Sequence, residues 1–308
     1  MHILVTGGAG FIGSHSVEAM LAHGARVRVL DDLTSGFRAN LPQHAALEFV
    51  HGDIRDTATV REAMRGIDHV LHLAAQVSVP ESVKDPLHSH SINIAGFLNV
   101  MDAARLAGVK RMAYASSAAV YGVPVELPLT EASPVAPLSP YGLEKLSNDH
   151  YAKLYGELYG FNAVGMRYFN VYGPRQDPSS TYSGVISKFA TWALQGEAFN
   201  MFGDGLQTRD FIYVGDIARA NLAALQSDAR GVINVATGRT VTLLQLADAI
   251  GAAVGRRMEI RHLAAREGDV PHSSVTPVRL RAELGVTDPV VLEDGIKRLI
   301  DHLALAGK

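Results

Sequence analysis

Tyr141-Gly-Leu-Glu-Lys145 puts a phenol and an ammonium four residues apart, the one place among ten tyrosines where a lysine follows at that spacing. Ser139-Pro140 announces a helix just ahead, and residues four apart share a helix face. A free tyrosine, with a pKa near 10, is only about one part in a thousand phenolate at pH 7. Making it a base at neutrality takes about 4 kcal/mol, which nearby positive charge can supply. Tyr141 therefore reads as a general base for an alcohol, with Lys145 beside it. Ser116-Ser117 closes a short apolar run and could hydrogen-bond the reacting oxygen; a turn that merely stops a strand would look the same.

Gly7-Gly8-Ala9-Gly10-Phe11-Ile12-Gly13 follows the first apolar run and opens a helical stretch. Glycines there permit a tight turn and close approach of backbone to a pyrophosphate, which the helix N-terminus attracts through free N–H groups and partial positive charge. Asp31 stands 18 residues beyond Gly13, at the end of the second run, where a carboxylate can accept from a ribose 2′-hydroxyl. Asp32 beside it would repel a 2′-phosphate. The pattern predicts dinucleotide binding by Gly7, Gly10, Phe11, Ile12 and Gly13, with NAD favoured over NADP. Asp53 ends a third run and could meet the adenine amino group, or else cap the helix expected from about Thr57. Leu73-Ala74-Ala75 ends a fourth with small residues that admit a flat cofactor. The oxidised nicotinamide would then join Lys145 in favouring the Tyr141 phenolate.

These groups need a frame, and the chain supplies strand-like runs at His2–Thr6, Arg26–Leu30, Leu47–Val50, His69–Leu73, Arg111–Ser116 and Ala163–Arg167. They are short, rich in Val, Ile and Leu, and bounded by turn formers, as strands buried on both faces should be. Helical periodicity fills the gaps at Ile12–His23, Thr57–Arg65, Ile92–Ala107 and Tyr141–Tyr159. Such alternation predicts an α/β fold with a doubly wound (Rossmann) parallel sheet. The pattern changes after Tyr172-Gly173-Pro174-Arg175: a polar loop over Asp177–Gly184, a helix over Val185–Gln195, a strand near Gly231–Ala236 and a helix over Leu243–Val254. The expected division is a dinucleotide-binding domain over 1–172, joined by a returning segment around 209–240, and a smaller α/β substrate lobe from 173–208 and 241–308.

Composition narrows the class. The 308 residues are 47% hydrophobic and 19% charged with a net charge of −3, an ordinary globular balance that disfavours whole-chain disorder and a nucleic-acid partner. No apolar run approaches the ~20 residues that span a bilayer. The chain runs from Met1 straight into an apolar segment with no basic leader, and with no cysteine it offers neither disulfides nor thiolate ligands. A cytoplasmic address is the expectation. His88-Ser89-His90 is the one close histidine pair and reads as polar surface, so no metal is expected.

Together the motifs resemble those of the extended short-chain dehydrogenase/reductase superfamily, and within it the nucleotide-sugar 4-epimerase branch that acts on UDP-glucose or UDP-N-acetylglucosamine. The resemblance spans His2 to Leu303 and is carried by Gly7–Gly13, Asp31, Asp53-Ile54, His72–Ala75, Asn93, Ser116–Gly122, Tyr141 with Lys145, Arg167–Arg175, Arg209-Asp210-Phe211 and Arg266-Glu267-Gly268-Asp269. It implies that Ser117 and Tyr141 hold the sugar O4 and that Lys145 holds the nicotinamide ribose. Ile54, Leu73, Ala74, Ala75 and Asn93 complete the cofactor set, while Asn170, Arg209, Arg266 and Asp269 belong to the UDP-sugar site. A diphosphate suits guanidinium forks, although Arg209-Asp210 and Arg266…Asp269 could also be surface ion pairs. One mild departure is Thr276-Pro277, where many relatives carry an acidic residue.

Ala118 and Ala119 stand where related dehydratases and decarboxylases carry acids, and methyl groups cannot transfer the protons that elimination needs. The implied reaction is NAD-dependent 4-epimerisation, with hydride leaving and returning at C4 and the cofactor retained. A reductase, dehydratase or decarboxylase of the same superfamily is the alternative, with a non-catalytic NAD-binding regulator behind it. The resemblance further implies that Ser273, four positions beyond Asp269, lines the pocket near the sugar C2 substituent. Its small size implies acceptance of UDP-GlcNAc and UDP-GalNAc beside the plain hexoses. Relatives pair the helices corresponding to Ile92–Ala107 and Tyr141–Tyr159 as a four-helix bundle, which implies a homodimer through Tyr151, Tyr155, Leu158 and Tyr159, unless these side chains face their own sheet.

Overall fold

In the computed structural model, which describes residues 1–177, 184–265 and 271–306, the apolar runs form one all-parallel sheet. Its strands are β1 (His2–Thr6), β2 (Arg26–Asp31), β3 (Leu47–His51), β4 (His69–His72), β5 (Arg111–Ser117) and β6 (Ala163–Tyr168). The last of its seven strands, β11 (Gly231–Val235), pairs with β6, giving the order β11-β6-β5-β4-β1-β2-β3. The order reverses beside β1, so the strand ends there open a crevice at the carboxyl edge.

Helices cover both faces. On one lie α1 (Phe11–Ala22), α8 (Val214–Gln226) and α10 (Val278–Leu284), sharing a core with Val5, Val29 and Ile233. On the other lie α2 (Thr57–Ala63), α5 (Phe97–Leu106) and α6 (Pro140–Tyr159), around Leu4, Phe97 and Tyr114. A third core is built by α7 (Val185–Gln195), α9 (Leu243–Ala253) and α11 (Leu292–Ala306) with Tyr172, Phe199 and Phe211. Small sheets join it: β7 (Asn170–Tyr172) pairs with β10 (Phe211–Tyr213), β9 (Thr208–Arg209) with β12 (Val241–Thr242), and β8 (Phe199–Phe202) with β13 (Ile260–Leu263).

The stretch expected as one helix over Ile92–Ala107 is helical without a break to Leu106, but it opens on a π-turn rather than an α-turn. Short helices α3 (Val79–Lys84) and α4 (Pro86–His90) lead into a π-turn, Ser91–Gly96, before α5 begins. The π-turn shifts the helix face by one residue within a single turn, too short a stretch for the side-chain pattern to reveal it. Such turns often mark functional positions, and this one carries Asn93. The Thr57 helix is capped by Asp56, whose carboxylate accepts from Ala58 N and Thr59 N, which leaves Asp53 out of the capping role.

On the outer surface of α6, Leu143, Tyr151, Leu154, Leu158 and Tyr159 are exposed, while Tyr155 packs against the chain's own core. The Arg105 guanidinium on α5 lies 4.6 Å above the Tyr159 ring, which ties the ends of the two helices together. No helix among the described residues is long and apolar enough to cross a membrane.

Candidate active site

The glycine turn is shaped by close contacts. Gly7 has a positive φ of +68°, and a Cβ there would lie 2.6 Å from Ala74 N, so the turn and the end of β4 approach backbone to backbone. Gly13 packs α1 onto the turn: its Cβ would fall 2.1 Å from Gly7 O. Gly10 differs, because its Cβ would meet only Gly7 O at 3.3 Å and otherwise open space. As the N-cap of α1 it contributes no capping side chain, and the first turn holds no acid, so Phe11 and Ile12 begin a helix whose N-terminus no carboxylate covers.

Asp31 closes β2 within this turn, where its Oδ2 accepts from Ala9 N at 2.8 Å and Oδ1 from Leu33 N at 2.9 Å. Burial raises its pKa, opposed by those two backbone bonds. Asp32 is exposed and caps its own loop through Thr34 N. Asp53 is gripped by Arg55 through a 2.5 Å ion pair that holds its carboxyl below the usual range, and Ile54 is buried against Gly96. Asn93 spends its amide on the protein itself: Oδ1 accepts from Gln76 N at 2.9 Å, while Nδ2 donates to Gln76 O and Glu144 Oε2. Gln76 follows Ala75, and its Oε1 is buried with no partner among the described residues, an acceptor that a bound donor would satisfy. An unblocked helix N-terminus, a carboxylate at the end of β2 and an orphaned acceptor beyond β4 fit a dinucleotide.

At the carboxyl end of β5, Ser117 lies close enough to the Tyr141 hydroxyl to oppose the upward shift of its pKa, and its Oγ accepts from Ala119 N at 3.1 Å. Lys145 lies on the same face, its Nζ 5.7 Å from the Tyr141 ring centre and donating to Ala115 O at 3.0 Å. Lys145 is buried and Tyr141 half-buried. Among the protein's own groups, burial dominates: it raises the Tyr141 phenol, against the Ser117 hydrogen bond and with Glu144, and lowers Lys145 to about 8. Burial outweighs the other influences on the phenol, so positive charge from Lys145 and from a bound cofactor would together favour its ionisation.

A cavity of about 710 Å³ opens beyond this edge, lined by Asn170, Lys188, Phe202, Gln207, Arg209 and Phe211 among others. Ser117 pairs with Tyr168 on β6, two residues before Asn170, so Ser117 and the cavity share one sheet edge. Arg209 does not pair with its neighbour: the Asp210 carboxylate turns inward to Thr237 N and Gly238 N, and its own carbonyl accepts from Asn170 Nδ2. Gln207, which the sequence did not single out, donates from Nε2 to Phe202 O and keeps Oε1 buried without a partner among the described residues. Ser273 is half-buried beside Thr208, whose carbonyl accepts from its N–H at 3.2 Å, and Ser274 O holds Leu129 N. The segment therefore bridges the Arg209 strand and the loop after Tyr121. Arg266 and Asp269 lie outside the described residues. Within the described residues no cluster of three or more His, Cys, Asp or Glu could hold a metal.

Three comparisons agree with this geometry. Residues 3–236 match the NAD dependent epimerase/dehydratase family. The chain is 42% identical over 303 residues to the putative UDP-glucose 4-epimerase of Methanocaldococcus jannaschii, covering 98% of each. Two solved structures superpose closely. The UDP-N-acetylglucosamine 4-epimerase of Methanobrevibacter ruminantium, bound to UDP-N-acetylmuramic acid, gives a TM-score of 0.95 at 38% identity, covering 99% of this chain and 98% of that one. The Thermus thermophilus UDP-glucose 4-epimerase, complexed with NAD, gives 0.90 at 41% identity, covering 99% of each. With its glycine turn, its acidic strand end and its Tyr–Lys helix in place, the chain belongs to the NAD dependent epimerase/dehydratase family.

Proposed function

We propose that the protein is a UDP-hexose 4-epimerase with retained NAD, working on UDP-GlcNAc and UDP-GalNAc and on UDP-glucose and UDP-galactose. One observation carries the reading: Ser117, Tyr141 and Lys145 meet at a sheet edge where the adjoining Ala118 and Ala119 offer only methyl groups. Proton transfer is available at one oxygen, and none is available for elimination.

Bound NAD supplies reversible hydride exchange at C4 and is regenerated in each cycle. Ser117 orients the sugar O4 toward Tyr141, which takes its proton and returns it after the 4-keto sugar has turned over. Lys145 holds the nicotinamide ribose and contributes positive charge. Asp31 and Asp32 favour NAD, Asp53 and Ile54 flank the adenine, and Leu73–Ala75 admit the flat cofactor, with Asn93 holding Gln76 in place beside them. Asn170, Arg209, Arg266 and Asp269 hold the nucleotide where the lobe formed by 173–208 and 241–308 meets the 1–172 domain and its returning segment, 209–240. A cytoplasmic setting suits this dependence on NAD and a nucleotide sugar.

Ser273 sets the sugar choice. Its hydroxymethyl leaves room at the C2 substituent where a tyrosine ring would collide with an N-acetyl group, and overpacking a tight site is costly. Purified protein, given each UDP-sugar with no added cofactor, should equilibrate both pairs, with products identified by NMR. Ser273→Tyr should lose N-acetyl turnover by about a hundredfold and keep the plain hexoses. Wild-type turnover of UDP-galactose with UDP-GalNAc untouched would reject the pocket assignment.

The exposed face of α5 and α6 is proposed as a twofold interface, a four-helix bundle in a homodimer. Its support is the run of Leu143, Tyr151, Leu154, Leu158 and Tyr159 at the surface, more apolar side chains than an isolated helix face needs to expose. Light scattering at micromolar concentration should give twice the chain mass, and Leu158→Glu with Leu154→Glu should halve it.

A further inference from the structure

The catalytic helix and its strand are matched rung by rung. On α6, Tyr141, Lys145 and Asp149 follow at four-residue steps, each about 6 Å along a helix. On β5, their partners are Ser117, then Ala115 O, then the hydroxyls of Ser116 and Tyr114. As α6 advances, its partners stay within the last four residues of β5, so the helix lies along this one strand end. The third rung is the most heavily built. Asp149 accepts from Tyr114 OH and Ser116 Oγ, each at 3.1 Å, and from Arg167 Nε at 3.1 Å and its terminal nitrogen at 3.0 Å. The Asp149 and Arg167 side chains are each only 6% exposed.

Two further features point to Asp149. Gly165 on β6 leaves the space it occupies: a Cβ there would lie 2.5 Å from the Tyr114 hydroxyl and 3.0 Å from Asp149 Oδ1. Arg167 also donates to Tyr121 OH at 2.9 Å, which donates to Asn234 Oδ1 at 2.7 Å, so the same cation ties down the turn that follows Ser117.

We propose that Asp149, anchored by Arg167, is a positioning residue of the catalytic site, fixing α6 on β5 so that Tyr141 meets Ser117 and keeping a negative charge one helical turn from Lys145. The inference rests on the proposed epimerase reading for its consequence in turnover. Its electrostatic half follows from what faces Lys145. From α6 come Asp149, the stronger influence holding the ammonium charged, and Glu144, the weaker. From β4 comes His72, which burial holds neutral at a pKa of about 3. From β5 comes Tyr114, whose phenol burial pushes far up, and from β6 comes the Arg167 cation. Burial already brings Lys145 down to about 8, so losing Asp149 while Arg167 stays charged must bring it lower.

The test uses the full-length protein with the NAD it carries on purification. With lysine labelled at Cε, NMR of seven lysines gives the Lys145 titration directly, assigned by Lys145→Met. Lys145 acts as the ammonium, so activity falls as pH rises through its pKa, and a lower pKa brings that loss to lower pH. Asp149→Asn should lower the Lys145 midpoint and move the alkaline limb of kcat down by about one pH unit or more. It should also cut kcat at least tenfold with KM within about threefold. Asp149→Glu, which keeps the charge, should restore the limb. If Asp149→Asn does not fold, Asp149→Asn with Arg167→Met removes both charges and should still lower the Lys145 midpoint, since Asp149 stands one turn away on the same helix. A folded Asp149→Asn protein with the Lys145 midpoint and the limb unmoved overturns the inference, whatever its activity. The NMR midpoint needs no substrate: a wild-type protein that epimerises nothing, yet whose Lys145 follows Asp149, would reject the epimerase reading alone.

Discussion

Tyr141→Phe should lower epimerisation by about 10²- to 10⁴-fold, the range that a positioned acid or base contributes, while the protein keeps its fold and its NAD. The structure explains why so much rests on one oxygen. The phenol's pKa is raised by desolvation, and Ser117 opposes that shift. Phenylalanine fills the same volume, and Ser117 is not left without a bond, because its Oγ already accepts from Ala119 N. Removing the hydroxyl therefore empties the proton-transfer position and little else. Circular dichroism, the absorbance of bound NAD and kcat for UDP-galactose separate the effects. A folded, NAD-loaded Tyr141→Phe protein with near wild-type kcat would end the assignment of Tyr141 as the base.

Much of this site could be read from the chain because its chemistry is encoded locally. The glycine turn, Asp31, Ser117 and the Tyr141–Lys145 pair are each fixed by spacing within one element or at one strand end. The six leading strands were legible for the same reason: strands buried on both faces are short continuous apolar runs. What stayed hidden depends on contacts between distant segments. Strands β7, β9, β10 and β12 are two or three residues long, too short to show a period, and exist through non-local partners. Asp149 and Glu144 look like ordinary polar positions on a surface helix until β5, β6 and the π-turn close over them. Glu144, which accepts from Ser89 Oγ and Asn93 Nδ2 at 2.7 Å, ties the catalytic helix to the segment carrying Asn93, and neither partner is near it in sequence. Asn93 was legible as a position, but the structure shows its amide committed to Gln76 and Glu144, so its effect on a cofactor runs through the loop it holds.

Gly10→Ala and Gly13→Ala should both abolish retention of NAD, for opposite reasons, and the difference tests how the turn works. At Gly10 the backbone φ is −76°, open to any residue, and the new methyl meets little protein. Stability should change by about 0.5 kcal/mol or less. That methyl would instead stand where the pyrophosphate must approach the helix N-terminus, so the purified protein should fold normally and carry little NAD. At Gly13 the methyl would lie 2.1 Å from Gly7 O and 2.7 Å from Gly8 Cα, both backbone atoms that no rotamer change can move aside. The turn must open or α1 must tilt, and overpacking of this kind costs about 1–3 kcal/mol or more. Because α1 packs on α8 as well as on the sheet, the loss should appear as a lower melting temperature of the protein stripped of NAD. Denaturation of the stripped variants, with the nucleotide released from each measured by absorbance, separates the two. If Gly10→Ala melts like the native chain and still carries a full complement of NAD, the pyrophosphate does not sit on this turn.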